Sequence, residues 1–313
     1  MQNRKNVYQH IADNNWKIFG LVCLFPIALI VFVYLFFIIT GVLGTESNED
    51  YQMWISHFWD LTPWLVLLCT VLTILSVLLG DKMMLSFAGA ELCRKDAEHL
   101  QLYRAVENVA LAAGLPTPKI YLINDDSLNA FATGFAPKTA SIALTTGIVK
   151  KLKPLELDAV IAHEMAHIKN RDIRLNMYVI TGIGVVGMIG EILIRVFGHS
   201  NSRSRDGKNP LGILVIFGFS LLLFRYLIAP FIHMALSRKQ EFQADATGAF
   251  FTRNPEALAS ALEKISVDPR VEALDKSEQM ASVCIYNPLQ KLGGLLDTHP
   301  PVEERIKRLR SMM

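Results

Sequence analysis

The chain has 313 residues and balances 31 Lys and Arg against 29 Asp and Glu, so its formal charge of +2 gives no basic face for a nucleic acid. Hydrophobic residues make up 51% and gather into long runs, which excludes a purely soluble single-core reading. Cys23, Cys69, Cys93 and Cys284 form no C-x-x-C pair and two lie inside apolar runs. They read as free thiols in a reducing compartment, neither a disulfide framework nor a zinc knuckle.

In chain order, residues 1–17 are polar, and an uncharged apolar run follows over about 18–43, long enough to cross a bilayer. It is too long for a signal peptide and lacks a clear small-x-small cleavage site. Residues 45–60 read as a short acidic loop without Lys or Arg, and a second span covers about 61–79, with Trp59 and Trp64 at its start. Arg4, Lys5 and Lys17 before the first span, and Lys82, Arg94 and Lys95 after the second, place both outer segments in the cytoplasm by the positive-inside rule. Residues 1–80 therefore form an N-terminal transmembrane hairpin.

Residues 81–174 have the composition of a soluble domain. Helical spacing runs from Ala97 to Ala113 and closes at Gly114, and Lys119–Ile123 reads as a strand. Asn129-Ala130-Phe131-Ala132-Thr133-Gly134 follows, and Ser141–Thr146 reads as another strand. An edge strand here would pair with an extended peptide through its main chain, making Asn129, Ala143 and Thr145 candidate substrate contacts; an ordinary internal strand fits the spacing equally well.

Pro154, Glu156 and Asp158 then suit the first turns of a helix containing Ala162-His163-Glu164-Met165-Ala166-His167. Four residues apart on a helix, His163 and His167 stand one turn above the other and can grip one Zn²⁺. Glu164, rotated by one residue, can reach a water on that metal as general base.

Two further apolar runs, about 175–195 and 211–234, make up a second hairpin within 175–236. Glu191 and Arg195 near the end of the first read as an i,i+4 pair or as snorkelling side chains. The loop between the runs carries Arg203, Arg205 and Lys208, so full crossing and incomplete crossing both stay open.

Residues 237–313 resume the soluble composition. Three protein ligands and one open position make a catalytic zinc site, and Glu241 in Gln240-Glu241-Phe242-Gln243-Ala244-Asp245 can supply the third; a solvated acidic face partnered by Arg238 and Lys239 is the other reading, disfavoured by the two histidines upstream. Asp245, on the same helix face, can accept a hydrogen bond from a ligating imidazole. His299 in Thr298-His299-Pro300-Pro301 is either a donor to the developing oxyanion or a loop histidine before a C-terminal helix.

Together His163-Glu164-Met165-Ala166-His167, Ser237-Arg238 with Glu241 and Asp245, the Asn129–Gly134 segment, and Thr298-His299-Pro300 with Arg305 resemble the HtpX family of membrane-integrated zinc metallopeptidases, relatives of the CAAX prenyl proteases. The resemblance covers nearly the whole chain. It implies a mainly α membrane protein with helical transmembrane hairpins and a cytosolic α+β, gluzincin-like domain with a small β-sheet. It implies one Zn²⁺ per chain on His163, His167 and Glu241, Glu164 as base, Asp245 behind the ligands and His299 as transition-state donor. It further implies a multi-pass protein of the bacterial inner membrane that cleaves misfolded or damaged membrane proteins and unfolded polypeptides as quality control under stress. The loop at Ser200–Asn209 is where the chain looks variable.

Two other readings compete. A prenyl-peptide processing protease needs a chamber that four spans are too few to enclose. A zinc-stabilised scaffold or sensor leaves Glu164 without a purpose. Natural substrates, oligomeric state and regulation are not written in the sequence.

Overall fold

The computed structural model describes residues 7–44, 47–198, 210–235, 238–267, 285 and 300–313. His299, Ser237 and the 200–209 loop lie outside them. In chain order the elements are α1 (Val7–Gly44), α2 (Asn48–Phe87), β1 (Ala90–Leu92), α3 (Leu100–Ala113), β2 (Lys119–Ile123), β3 (Ala130–Thr133), β4 (Ser141–Thr145), α4 (Thr146–Lys151), α5 (Pro154–Asn170), α6 (Asp172–Phe197), α7 (Pro210–Ala235), α8 (Arg238–Thr252), α9 (Pro255–Val267) and α10 (Val302–Arg310). The protein is mostly helical with one small mixed sheet. The described residues fall into two compact units, one within Met1–Trp16, Leu79–Ile180 and Phe231–Met313, the other within Lys17–Leu78 and Thr181–Pro230.

The first unit holds the sheet, in strand order β1-β2-β4-β3. β4 runs parallel to β2 and antiparallel to β3, while β1 closes the far side of β2 antiparallel. Side chains alternate across the pleat. Ile120, Ala130, Ile142 and Leu144 pack on one face with α3, α5 and α9, through Val106, Val160, Ile161, Leu258 and Leu262. Ile123, Phe131 and Ala143 turn to the other face, against Met84 and Leu85. Both faces being covered, β4 is buried at all five positions.

α5 is the central helix of this unit. Pro154 opens it, and the Glu156 carboxylate accepts the Lys153 N–H at 2.8 Å. The same carboxylate takes hydrogen bonds from Ser260 at 2.7 Å and Lys264 at 2.6 Å, fastening the start of α5 to α9. Around and between its histidines α5 offers several small or unbranched side chains, Ala159, Ala162, Met165 and Ala166, so neighbours close in all round it. It ends at Arg171, which adopts the left-handed conformation at φ 62° and closes the last turn by bonding back to His167 O and Ile168 O.

The second unit is helical throughout. Val186, Leu221 and Phe224 form its small core with Leu29, Phe32, Ile189 and Phe217, and Phe32 meets Phe224 at a ring distance of 4.9 Å. α6 and α7 touch backbone to backbone, since a Cβ on Gly190 would stand 2.9 Å from Gly218 O. Much apolar surface stays exposed, including Ile27, Val31, Leu35 and Ile39, one stripe of α1 at successive turns. Among the described residues one helical stretch, Asn48–Leu72, is long and apolar enough to cross a membrane; Pro26–Val42 and Gly212–Leu227 are shorter apolar stretches.

One expectation needs correction, and two more gain detail. The acidic loop at 45–60 is helical from Asn48: Ser47 Oγ accepts the Asp50 N–H at 3.1 Å, and Glu49 and Asp50 occupy the first turn of α2. Glu191, read as pairing with Arg195 or snorkelling, is also approached from α7 by Arg225 Nη1 at 3.7 Å, across Gly187. β1 and β3 are the two edge strands and β4 is interior, which selects the internal-strand alternative for Ser141–Thr145.

Candidate metal centre

α5 projects His163 and His167 into the first unit, where α8 meets them with Glu241 and Asp245. The helices come this close because of Gly248, one turn beyond Asp245: a Cβ there would lie 2.9 Å from His163 N. Glu241, Asp245 and Gly248 follow i, i+4, i+7 spacing and share the face turned to α5.

His163 Nε2 and His167 Nε2 are 3.2 Å apart, with their rings at 88°. Glu241 completes the triangle, Oε1 at 3.4 Å from His167 Nε2 and Oε2 at 3.7 Å from His163 Nε2. All three residues are buried. Behind them stand two carboxylates, Asp245 Oδ1 at 3.0 Å from His163 Nδ1 and Asp172 Oδ2 at 3.1 Å from His167 Nδ1. Each carboxylate draws the ring proton to Nδ1 and so turns the Nε2 lone pair inward. Three lone-pair atoms then converge in a largely buried site, an arrangement that repels itself unless a cation sits among them. Tetrahedral zinc with bonds of about 2.0–2.2 Å places its ligand atoms about 3.3–3.6 Å apart. The donor set and its spacing fit that ion.

The titration behaviour expresses the same demand for positive charge. Burial pulls the His167 imidazole down, but the Asp172 and Glu241 carboxylates outweigh it and hold it at about 9. His163 is lowered, because burial prevails over the nearby Asp245. Burial raises the Glu164 carboxyl, with Glu241 adding to it, to about 7 against the opposing pull of His167 and the Ala132 main chain. For Asp245 burial works upward, yet Arg305 overcomes it and sets the group at about 2.

Glu164 is 2% exposed and lies against β3, whose Ala132 main chain hydrogen-bonds its carboxylate. Of the candidate substrate contacts, Asn129 sits at the start of this edge strand. Ala143 and Thr145 belong to interior β4, and all three residues are buried, Asn129 included. Thr145 is a structural joint: its hydroxyl donates towards Ser127 O at 2.7 Å and accepts the Ile148 N–H that begins α4.

Sequence reasoning passed over Asp172 and gave Arg305 no role. Asp172 follows His167 by five residues, the wrong side of a continuous helix; the left-handed turn at Arg171 swings it back. The signal was an acidic residue opening the next helix. Arg305 lies 60 residues from Asp245 and carried no local mark.

A family profile described as Peptidase family M48 matches residues 96–313. The chain is 37% identical over 308 residues to the Protease HtpX homolog of Bacteroides fragilis, covering 94% of this chain and 95% of that one. It is 38% identical over 317 residues to the Protease HtpX homolog of Thermoanaerobacter pseudethanolicus, covering 99% of each. Among solved structures, the crystal structure of S. mikatae Ste24p is similar at a TM-score of 0.45 and 21% identity, covering 89% of this chain and 62% of that one.

Proposed function

The chain belongs to peptidase family M48, among the HtpX proteases, and from that premise we propose that it is a membrane-anchored zinc endopeptidase. The observation that carries the reading is the convergence of His163, His167 and Glu241 beside the buried Glu164. Zinc held by those three residues would supply an acidified water and an electrophile for the scissile carbonyl.

The remaining work falls to the chain. Glu164 accepts the proton of the attacking water and returns it to the departing amine. Burial suits it to both halves of that task, because a carboxyl at about 7 both takes and releases a proton near neutrality. Asp245 and Asp172 fix the two imidazoles from behind. The stretch of β3 beyond Ala130, whose carbonyl Ile285 already holds, is the proposed rail for an extended substrate backbone running past Glu164, which favours broad cleavage because main-chain pairing reads no side chains. Asn129 begins that strand, and His299 is the proposed donor to the oxyanion on the strength of the family resemblance.

Substrates are unfolded polypeptides and segments of damaged membrane proteins. The exposed apolar stripes of the helical unit support insertion in a lipid bilayer, a bacterial inner membrane by the resemblance, and the distribution of basic residues supports a cytoplasmic catalytic unit. The test sets wild type beside Glu164→Gln in detergent, measuring zinc content and casein cleavage. One zinc per chain in both, with turnover at least about a thousandfold lower in the variant, is the expected result. Appreciable cleavage by Glu164→Gln removes the base assignment, and zinc without cleavage in the wild type favours a scaffold.

A further inference from the structure

Arg305 is the largest fully buried side chain of the described residues, with 1% of its surface exposed. It enters from α10, and its guanidinium grips Asp245 with two parallel hydrogen bonds, Nε to Oδ2 at 2.8 Å and Nη2 to Oδ1 at 2.7 Å. The same Oδ1 faces His163 Nδ1 at 3.0 Å. The third nitrogen, Nη1, donates to the Ile285 carbonyl at 3.0 Å and stands 3.5 Å from Glu241 Oε2. Ile285 in turn donates its N–H to Ala130 O on β3 at 2.9 Å. One cation thus touches the carboxylate behind the first histidine, the carboxylate beside both histidines, and a main-chain link to the edge strand.

Burying a guanidinium is costly, and a fold without use for it would fill the space with apolar side chains at no loss. The geometry has a more specific use. Asp245 can rotate about its side chain, and only one rotation presents Oδ1 to His163; a planar fork that engages both carboxylate oxygens fixes that rotation. A lysine in the same place would neutralise the charge and leave the carboxylate free to turn. Asp245, Glu241 and Glu164 all act on Arg305, the one arginine buried among the described residues.

We propose that Arg305 is a positioning residue of the metal centre: through its two-point grip on Asp245 it fixes the orientation of His163, and through Nη1 it places Glu241, so that the C-terminal helix α10 sets the affinity of the site for zinc. This rests on the metal-site reading above and adds to it a determinant contributed by the last element of the chain. Arg305 touches neither substrate nor reacting atoms, so its effect is transmitted entirely through the ligands.

The experiment uses the full chain in detergent. Arg305→Ala would abandon a buried carboxylate and unfold the protein for uninformative reasons, so the chosen variant is Arg305→Lys, taken as metal-free chain whose far-UV circular dichroism matches the wild type. Zinc dissociation constants are measured by competition with a chromophoric chelator, and the visible d–d spectrum is recorded after loading Co²⁺. The expected result is about 10–100-fold weaker zinc binding with a displaced cobalt spectrum. In an Asp245→Asn background the lysine substitution adds little further loss, because the residue it acts through is already altered. Wild-type zinc affinity and an unchanged cobalt spectrum in Arg305→Lys would overturn the proposal, as would full additivity with Asp245→Asn. A wild-type chain that binds no stoichiometric zinc would instead overturn the metal-site reading beneath it.

Discussion

The two units solvate their residues in opposite ways. The sheet-bearing unit buries Glu156, His163, Glu164, Asp172, Glu241, Asp245 and Arg305, while the helical unit exposes Ile27, Val31, Leu35, Ile39, Ile192 and Phe219. Charge inside is tolerated where each group meets an opposite charge or a fixed hydrogen bond, and the first unit supplies these through α5, α6, α8, α9 and α10. Apolar surface outside is tolerated where the surroundings are themselves apolar. The lesson is that the sheet-bearing unit spends its interior on opposed charges, as the proposed chemistry requires, while the helical unit leaves apolar surface outside, as the proposed anchoring requires.

The comparison is broken most severely at Gly248. Gly248→Ala places a Cβ 2.9 Å from the His163 backbone and forces α8 off α5. The expected cost is about 1–3 kcal/mol, seen as a lower melting temperature together with weakened zinc binding. An unchanged melting temperature would mean that the helices can part without consequence. Removing the support of one histidine comes next. Asp172→Ala is expected to weaken zinc binding about 10–100-fold while the chain stays folded, read by chelator competition.

The pH profile sharpens the same contrast. With the Glu164 carboxyl at about 7, its charged, proton-accepting form is lost as pH falls through that value. Burial raises the group and bound zinc would draw it back down, so the acid limb of kcat/KM should lie between an ordinary carboxylate value and about 7. An acid limb at an ordinary carboxylate pKa would show that burial does not govern this group.

The smallest effect belongs to the helical unit. Glu191 and Arg225 are both partly exposed, so Glu191→Gln should change stability by less than about 1 kcal/mol and leave zinc content unaltered. A larger loss of stability, or any loss of zinc, would show that polar interactions matter as much there as in the sheet-bearing unit.

The sequence by itself determined whatever is decided within about one helical turn or one strand. His163, Glu164 and His167 needed only the 3.6-residue period of α5, Glu241 and Asp245 only that of α8, and β2 only its bounding prolines and turn. Gly114, at φ 67°, ends α3 where the backbone freedom of a residue without Cβ predicts. The tertiary structure alone decided the rest. β3 and β4 look alike as short apolar strands, and which one is the edge depends on β2 pairing with β4 in parallel across the intervening chain. Asp172 reaches His167 through a single left-handed residue that no periodicity anticipates. Arg305 finds Asp245 across 60 residues, because packing of α10 against the core fixes where that guanidinium ends. Periodicity records which face a residue occupies, and only packing decides what stands opposite it.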